Sequence, residues 1–121
     1  MKQSDEFMLD VGKHYPFDSE VEKYFDLKKG EIKKRTNKRE ISEPRKISMW
    51  LQAQQNMKQF KRPYWSKIAC QYPGRSGKPM NHSSVIQNVE SVSRLMDVDK
   101  SFRKIVFEIQ LRVFGEIKFT K

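Results

Sequence analysis

The feature that most constrains the fold is the spacing of the apolar residues, which recurs at helical rather than strand intervals. In the segment that begins at Asn81, apolar side chains stand at Val85, Val89, Val92 and Met96, in steps of four, three and four residues. Residues at these steps share one side of an α-helix, whereas strands show a two-residue alternation that is poorly represented here. The spacing therefore predicts an all-α fold.

Five segments show this spacing, and they predict helices over residues 18–27, 42–57, 64–72, 81–96 and 99–114. Asp18 or Ser19 is expected to cap the first helix. Glu43 and Pro44 are expected in the first turn of the second helix, where a carboxylate and a missing N–H are tolerated. The predicted inner face of that second helix comprises Ile47, Trp50, Leu51, Gln54 and Met57.

These helices predict a compact bundle of about five, with an acidic, partly flexible N-terminal segment (1–17), a helical domain (18–114) and a C-terminal tail (115–121). The short third helix, a loop and the longer fourth helix have the order of a helix-turn-helix with a lengthened turn. The chain has the length of one ordinary domain, 121 residues.

Charge is concentrated in the middle of the chain. The net charge is +10, and residues 28–78 hold fifteen basic and three acidic residues, whereas residues 1–27 have a net charge of −4. A concentrated basic region favours a polyanionic partner. One cysteine and two histidines exclude an internal disulfide and an ordinary zinc site. We expect no cofactor, no membrane span and a cytoplasmic location.

The segment from Gly74 to Val89 allows several interpretations. Only two residues separate its glycines and a proline follows its lysine, so it lacks the spacing of a nucleotide-binding P-loop. His82 and Ser83 are adjacent, and neighbouring helical residues point about 100° apart, so they do not form a nucleophile–base pair. We therefore expect neither nucleotide hydrolysis nor other enzymatic activity.

The same segment has the composition of a helix that reads DNA. Asn81, Ser83 and Ser84 are good N-caps whatever the function. The outer face of the predicted helix is almost entirely polar and uncharged, and such groups suit base edges in a major groove. The first turn of the second helix is where helix-turn-helix proteins contact bases. The residues alone favour DNA and leave RNA or protein partners open.

Four segments in order resemble one family: EVEKYFDLKKGEIKKR, ISEPRKISMWL, IACQYPGR and NHSSVIQNVESV. Together they resemble the C-terminal DNA-binding domain of the bacterial chromosomal replication initiator DnaA, over roughly Asp18 to Leu111. The resemblance implies an origin-binding or regulatory module that binds double-stranded DNA. The chain has no P-loop, so we expect a stand-alone module without the family's ATPase domain, of the kind that a phage or mobile element encodes.

The resemblance implies three groups of contact residues. The implied base readers are Asn81, His82, Ser83, Ser84 and Asn88. The implied contacts to the DNA backbone are Arg45, Lys46, Ser66, Lys67, Arg75 and Lys78. The implied minor-groove loop contains Arg35, Lys38 and Arg39.

The chain also departs from the family pattern. Asn37 stands at the ungapped position of the minor-groove arginine, so Arg35, Lys38 or Arg39 would have to substitute. Asn81 replaces an aspartate, which alters the ability to accept a hydrogen bond from a cytosine amine. The amide of Asn81 can instead pair with adenine. Residues 76–80 are inserted before the fourth helix. A second hypothesis is a helical interaction module whose basic face docks an acidic partner, for example a replication protein.

Overall fold

The computed structural model describes residues 16–117, apart from residue 37 and residues 75–77. That part of the chain contains no strand, and its helices are α1 (Pro16–Tyr24), a 3-10 helix (Glu31–Lys33), α2 (Arg39–Phe60), α3 (Trp65–Ala69), α4 (His82–Val98) and α5 (Lys100–Ile117). The predicted all-α fold of about five helices is confirmed. Most of the expected N-terminal segment and the end of the tail lie outside the described residues.

Helix α2 is the centre of the bundle. It packs against α1, α3 and α4, and α5 lies against α1 and α4. Met49 and Leu51 of α2 are fully buried, as are Val85 of α4 and Val106 of α5. The predicted stripe of α4 is confirmed, because Val85, Val89, Val92 and Met96 all belong to the buried core. Burying that stripe leaves the opposite face of α4 open to solvent.

Both ends of α2 differ from the prediction. The helix begins at Arg39, so Pro44 is an interior residue rather than part of the first turn. Proline lacks an N–H, and the helix therefore gives up one backbone hydrogen bond at this point. Gln54 is exposed and Met57 is 46% exposed, because the last turns of α2 extend beyond the helices that cover it. The prediction that these two residues face inward was wrong.

Helix α3 is shorter than its apolar pattern predicts. It spans Trp65–Ala69, and Tyr64 precedes it in the left-handed region with φ 54°. Tyr72 is fully buried, although it lies after the end of the helix. A stripe of apolar residues marks burial here, but it extends past both ends of the α-helix.

A buried polar cluster, here called the Asp18 network, joins α1 to the rest of the bundle. The Tyr72 hydroxyl donates to Asp18 Oδ1 at 2.8 Å, and Lys33 Nζ lies 3.0 Å from Asp18 Oδ2. Ser48 Oγ donates to the same carboxylate, and Gln52 Nε2 donates to the Tyr72 hydroxyl at 3.0 Å. Burial, together with the Asp18 charge, raises the pKa of Tyr72 well above its usual value.

The sequence did not predict the Asp18 network. Helix α1 begins at Pro16, so Asp18 is a fully buried first-turn residue rather than the cap. A buried carboxylate is stable in a protein interior only when charges and donors compensate it. Lys33 and Tyr72 do so from distant parts of the chain. The network therefore fixes α1, the 3-10 helix, α2 and the segment after α3 relative to one another.

Candidate nucleic-acid interface

The first residues of α4, here called the α4 start (Asn81–Ser84), form a capped and exposed helix terminus. Asn81 is the N-cap, and its side-chain oxygen accepts from the Ser83 backbone N–H at 2.8 Å. Asn81, His82 and Ser83 are exposed, whereas Ser84 is half-buried. The cap accounts for the extended backbone at Asn81, and the buried valine stripe accounts for the orientation of the helix. Three predicted base readers therefore share one solvent-facing turn.

The α4 start touches α3 through a contact between two predicted site residues. Ser66 Oγ lies 2.9 Å from His82 Nε2, and both side chains are exposed. Within the described residues no carboxylate hydrogen-bonds to His82, so the pair lacks the third group that orients a catalytic imidazole. The contact holds the beginnings of α3 and α4 together on one surface.

The basic loop before α2 lies beside the α4 start. Arg35, Lys38 and Arg39 are exposed, and Arg39 Nε donates to Glu43 Oε2 at 3.2 Å. Arg35 and Thr36 line a cavity of about 600 Å³, here called the cationic cavity, which also reaches the α4 start. Asn37, the ungapped match to the family's minor-groove arginine, lies outside the described residues.

The lengthened turn before α4 is closed at its base by hydrogen bonds. Met80 N–H donates to the Tyr72 carbonyl at 3.0 Å, and Gly74 N–H donates to the Lys78 carbonyl at 2.6 Å. A Cβ on Gly74 would lie 2.7 Å from the Pro79 carbonyl oxygen, so only glycine fits there. The chain thus leaves and returns at nearly the same place. Arg75 lies outside the described residues.

Arg45 has a structural role that the sequence did not predict. Its side chain is 8% exposed, and its guanidinium donates to the carbonyls of Ile32, Lys34 and Thr36. Burial lowers the pKa of Arg45 from its usual value, because the buried cation loses hydration. Three of its five N–H groups hold the basic loop in place, and the expected contact of Arg45 with the DNA backbone stays a prediction.

Two further predicted residues point away from the α4 start. Asn88 Nδ2 donates to Met49 Sδ at 3.6 Å, so this amide faces α2 rather than a partner. Lys46 lines a separate cavity of about 50 Å³ next to Ser91 and Leu95. Neither residue lines the cationic cavity, and the expected DNA contacts of both stay predictions. Lys67 is half-buried next to Ser66.

The described residues contain no group of three or more His, Cys, Asp and Glu side chains that could hold a metal ion. None of their helices is long and apolar enough to cross a membrane. No protein-family model matches the chain, and no solved structure matches it.

Proposed function

We propose that this chain is a non-enzymatic, sequence-specific double-stranded DNA-binding protein, a replication-associated or regulatory module of the DnaA origin-binding kind. The observation that carries the proposal is the juxtaposition of an exposed, uncharged polar helix start with the cationic cavity. Neutral amides and hydroxyls can donate to and accept from base edges, and cations can contact phosphates. The two kinds of group adjoin here.

In this proposal α3 and α4 act as the helix-turn-helix, and the α4 start enters the major groove. Asn81 uses one lone pair of its side-chain oxygen in the cap, which leaves its amide N–H groups and a second lone pair for adenine. His82 and Ser83 offer further polar atoms on the same turn. The Ser66 hydroxyl oxygen, 2.9 Å from His82 Nε2, orients the imidazole.

The basic residues supply affinity that does not depend on sequence. Residues 28–78 have a net charge of +12, Arg35 and Lys38 are exposed, and Arg35 lines the cavity that reaches the α4 start. If about five phosphates are neutralised, the logarithm of affinity falls against the logarithm of salt concentration with a slope of about −4 to −5. As a DNA-binding protein the chain would act in the cytoplasm, at a bacterial nucleoid or in a phage-infected cell.

The direct test is a titration of labelled duplexes, combined with selection of binding sites from a random library. We expect a salt-dependent affinity and an enriched sequence motif. Lys34→Gln/Lys38→Gln should weaken binding to all duplexes, whereas Lys100→Gln/Lys104→Gln, with the same charge change on α5, should leave binding nearly unchanged. Binding without salt dependence, or selection without any motif, would contradict the proposal.

One observation favours the second candidate, a module that docks an acidic protein. Met57 and Phe60 are 46% and 47% exposed at the end of α2, and Lys58 and Lys61 are exposed beside them. An apolar surface with a basic rim suits an acidic segment that carries an apolar anchor. Absence of a duplex shift at low salt, with binding to an acidic partner that Phe60→Ser abolishes, would favour this candidate over DNA.

A further inference from the structure

The cationic cavity has the charge distribution of an anion site. Its wall includes Arg35, Arg45 and Lys78, which come from three separate parts of the chain, and its other lining residues carry no carboxylate. A concave surface lined by one sign of charge concentrates ions of the opposite sign. Like charges that face a common space also repel one another, and a bound anion would relieve this repulsion.

Arg45 supplies an independent indication, because it is a buried cation without a counter-ion. Its described partners are the carbonyls of Ile32, Lys34 and Thr36, and no carboxylate of the described residues forms an ion pair with it. A buried charge is costly unless an opposite charge compensates it. Lys33, by comparison, has Asp18. Among the described residues, only backbone carbonyl dipoles compensate the charge of Arg45, which leaves the site favourable for an added anion.

Lys78, Pro79 and Met80 line the cavity from the segment that precedes α4, and backbone hydrogen bonds hold Lys78 in place. The Lys78 carbonyl accepts from Gly74 N–H at 2.6 Å, which fixes the backbone from which the lysine side chain extends. Met80 is tied to Tyr72 and Ala69 at the base of the same turn. Lys78 is exposed and lines the cavity, and its side chain extends from this fixed backbone position.

From these observations we infer that the cationic cavity holds one phosphate of the DNA backbone, next to the bases that the α4 start reads. Arg35 and Lys78 contact the phosphate from separate segments of the chain, and Arg45 acts from the floor with the N–H groups that its carbonyl partners leave open. The inference rests on the proposed DNA-binding function and deepens it. The inserted turn thereby adds an anchor that fixes the register of α4 on the duplex.

A cycle of charge-removing variants tests whether the two cations share a phosphate. Arg35→Gln and Lys78→Gln should each reduce the magnitude of the salt slope by up to about 0.9, the value for one phosphate. The double variant should lose only about 0.9 in total, because a shared phosphate is counted once. A double variant that loses about twice as much would show two separate phosphates and overturn the inference. Lys104→Gln on α5 is the matched control and should leave the slope unchanged.

A duplex with single neutral methylphosphonates identifies the phosphate itself. One position should weaken binding of the wild type by several-fold and have little effect on the double variant. If no position behaves in this way while duplex binding persists, the inference fails and the proposed function stands. If the wild type binds no duplex at low salt, both fail. Inorganic phosphate is the probe for the other source, and its saturable binding without duplex binding would overturn the assignment to DNA.

Discussion

The Asp18 network and the α4 start both consist of polar side chains, but only those of the network are buried and paired with one another. In the network, Asp18 and Tyr72 are fully buried and satisfy one another and their neighbours. At the α4 start, Asn81, His82 and Ser83 are exposed and keep donors and acceptors open. The first arrangement stabilises a single fold, and the second leaves groups free for a partner. Burial, not residue type, distinguishes the two.

The largest expected effect is on the network side of this comparison. Asp18→Ala leaves the Lys33 ammonium buried without its carboxylate, and we expect a loss of about 3–5 kcal/mol in the free energy of unfolding. Urea denaturation followed by circular dichroism measures it. The exposed Glu40→Ala serves as a control for removing a carboxylate and should change stability by less than about 0.5 kcal/mol. Similar values for both variants would show that the network contributes no net stability.

Tyr72→Phe tests the network through pH. At neutral pH it should cost about 1–3 kcal/mol, because Asp18 and Gln52 lose a buried partner. The raised pKa of Tyr72 means that the fold favours the neutral hydroxyl. The stabilisation from the neutral Tyr72 hydroxyl is complete below about pH 10, the pKa of tyrosine in an unfolded chain. It is lost as the pH rises towards the higher pKa of Tyr72 in the folded protein.

The wild-type free energy of unfolding should therefore fall above about pH 10, and the fall should be smaller in Tyr72→Phe. Denaturant titrations at a series of alkaline pH values provide the measurement. Tyr64→Phe, a half-buried tyrosine outside the network, should follow the wild-type curve. Parallel curves for wild type and Tyr72→Phe would contradict the prediction.

His82→Ala addresses the other side of the comparison. We expect the free-energy difference between specific and non-specific duplex binding to shrink by about 1–2 kcal/mol, because one base contact is lost. Stability should change by less than about 0.5 kcal/mol, because the imidazole is exposed. Competition titrations with matched and scrambled duplexes measure the ratio, and Ser101→Ala on α5 is the control. A loss of stability with unchanged specificity would place His82 with the structural residues.

The smallest expected effect separates capping from base reading at a single residue. Asn81→Ala should cost about 1 kcal/mol of stability through loss of the N-cap. Asn81→Asp keeps the cap, so its stability should equal that of the wild type, but its preferred base should change from adenine towards cytosine. Selection of binding sites from a random duplex library with each variant measures the preferred base. An unchanged motif in Asn81→Asp would limit Asn81 to capping.

The helices of this fold could be predicted because their signal is local. The stripe from Val85 to Met96 determines both the existence of α4 and its buried face. The beginning of α2 could not be predicted, because a proline such as Pro44 usually indicates the first turn of a helix. Nothing in the neighbouring sequence indicates that the helix already starts at Arg39. Gln54 and Met57 continue the helical stripe, but whether a neighbour covers them depends on where the other helices end.

The candidate site shows the same division. The exposed turn formed by Asn81, His82 and Ser83 follows from a cap signal and a valine stripe, both visible in sequence. The burial of Arg45 and the orientation of Asn88 towards Met49 depend on contacts between distant segments. A basic composition predicts a cationic surface, but it does not distinguish an arginine that meets a partner from one that holds a loop.

The closed base of the turn between Tyr72 and Met80 has a consequence for how such proteins diverge. Because the backbone pairing brings the chain back beside Tyr72, the number of residues between Gly74 and Lys78 is uncoupled from the distance between α3 and α4. Insertions and deletions can therefore accumulate there without displacing either helix. Across related sequences, this turn is where length polymorphism should concentrate.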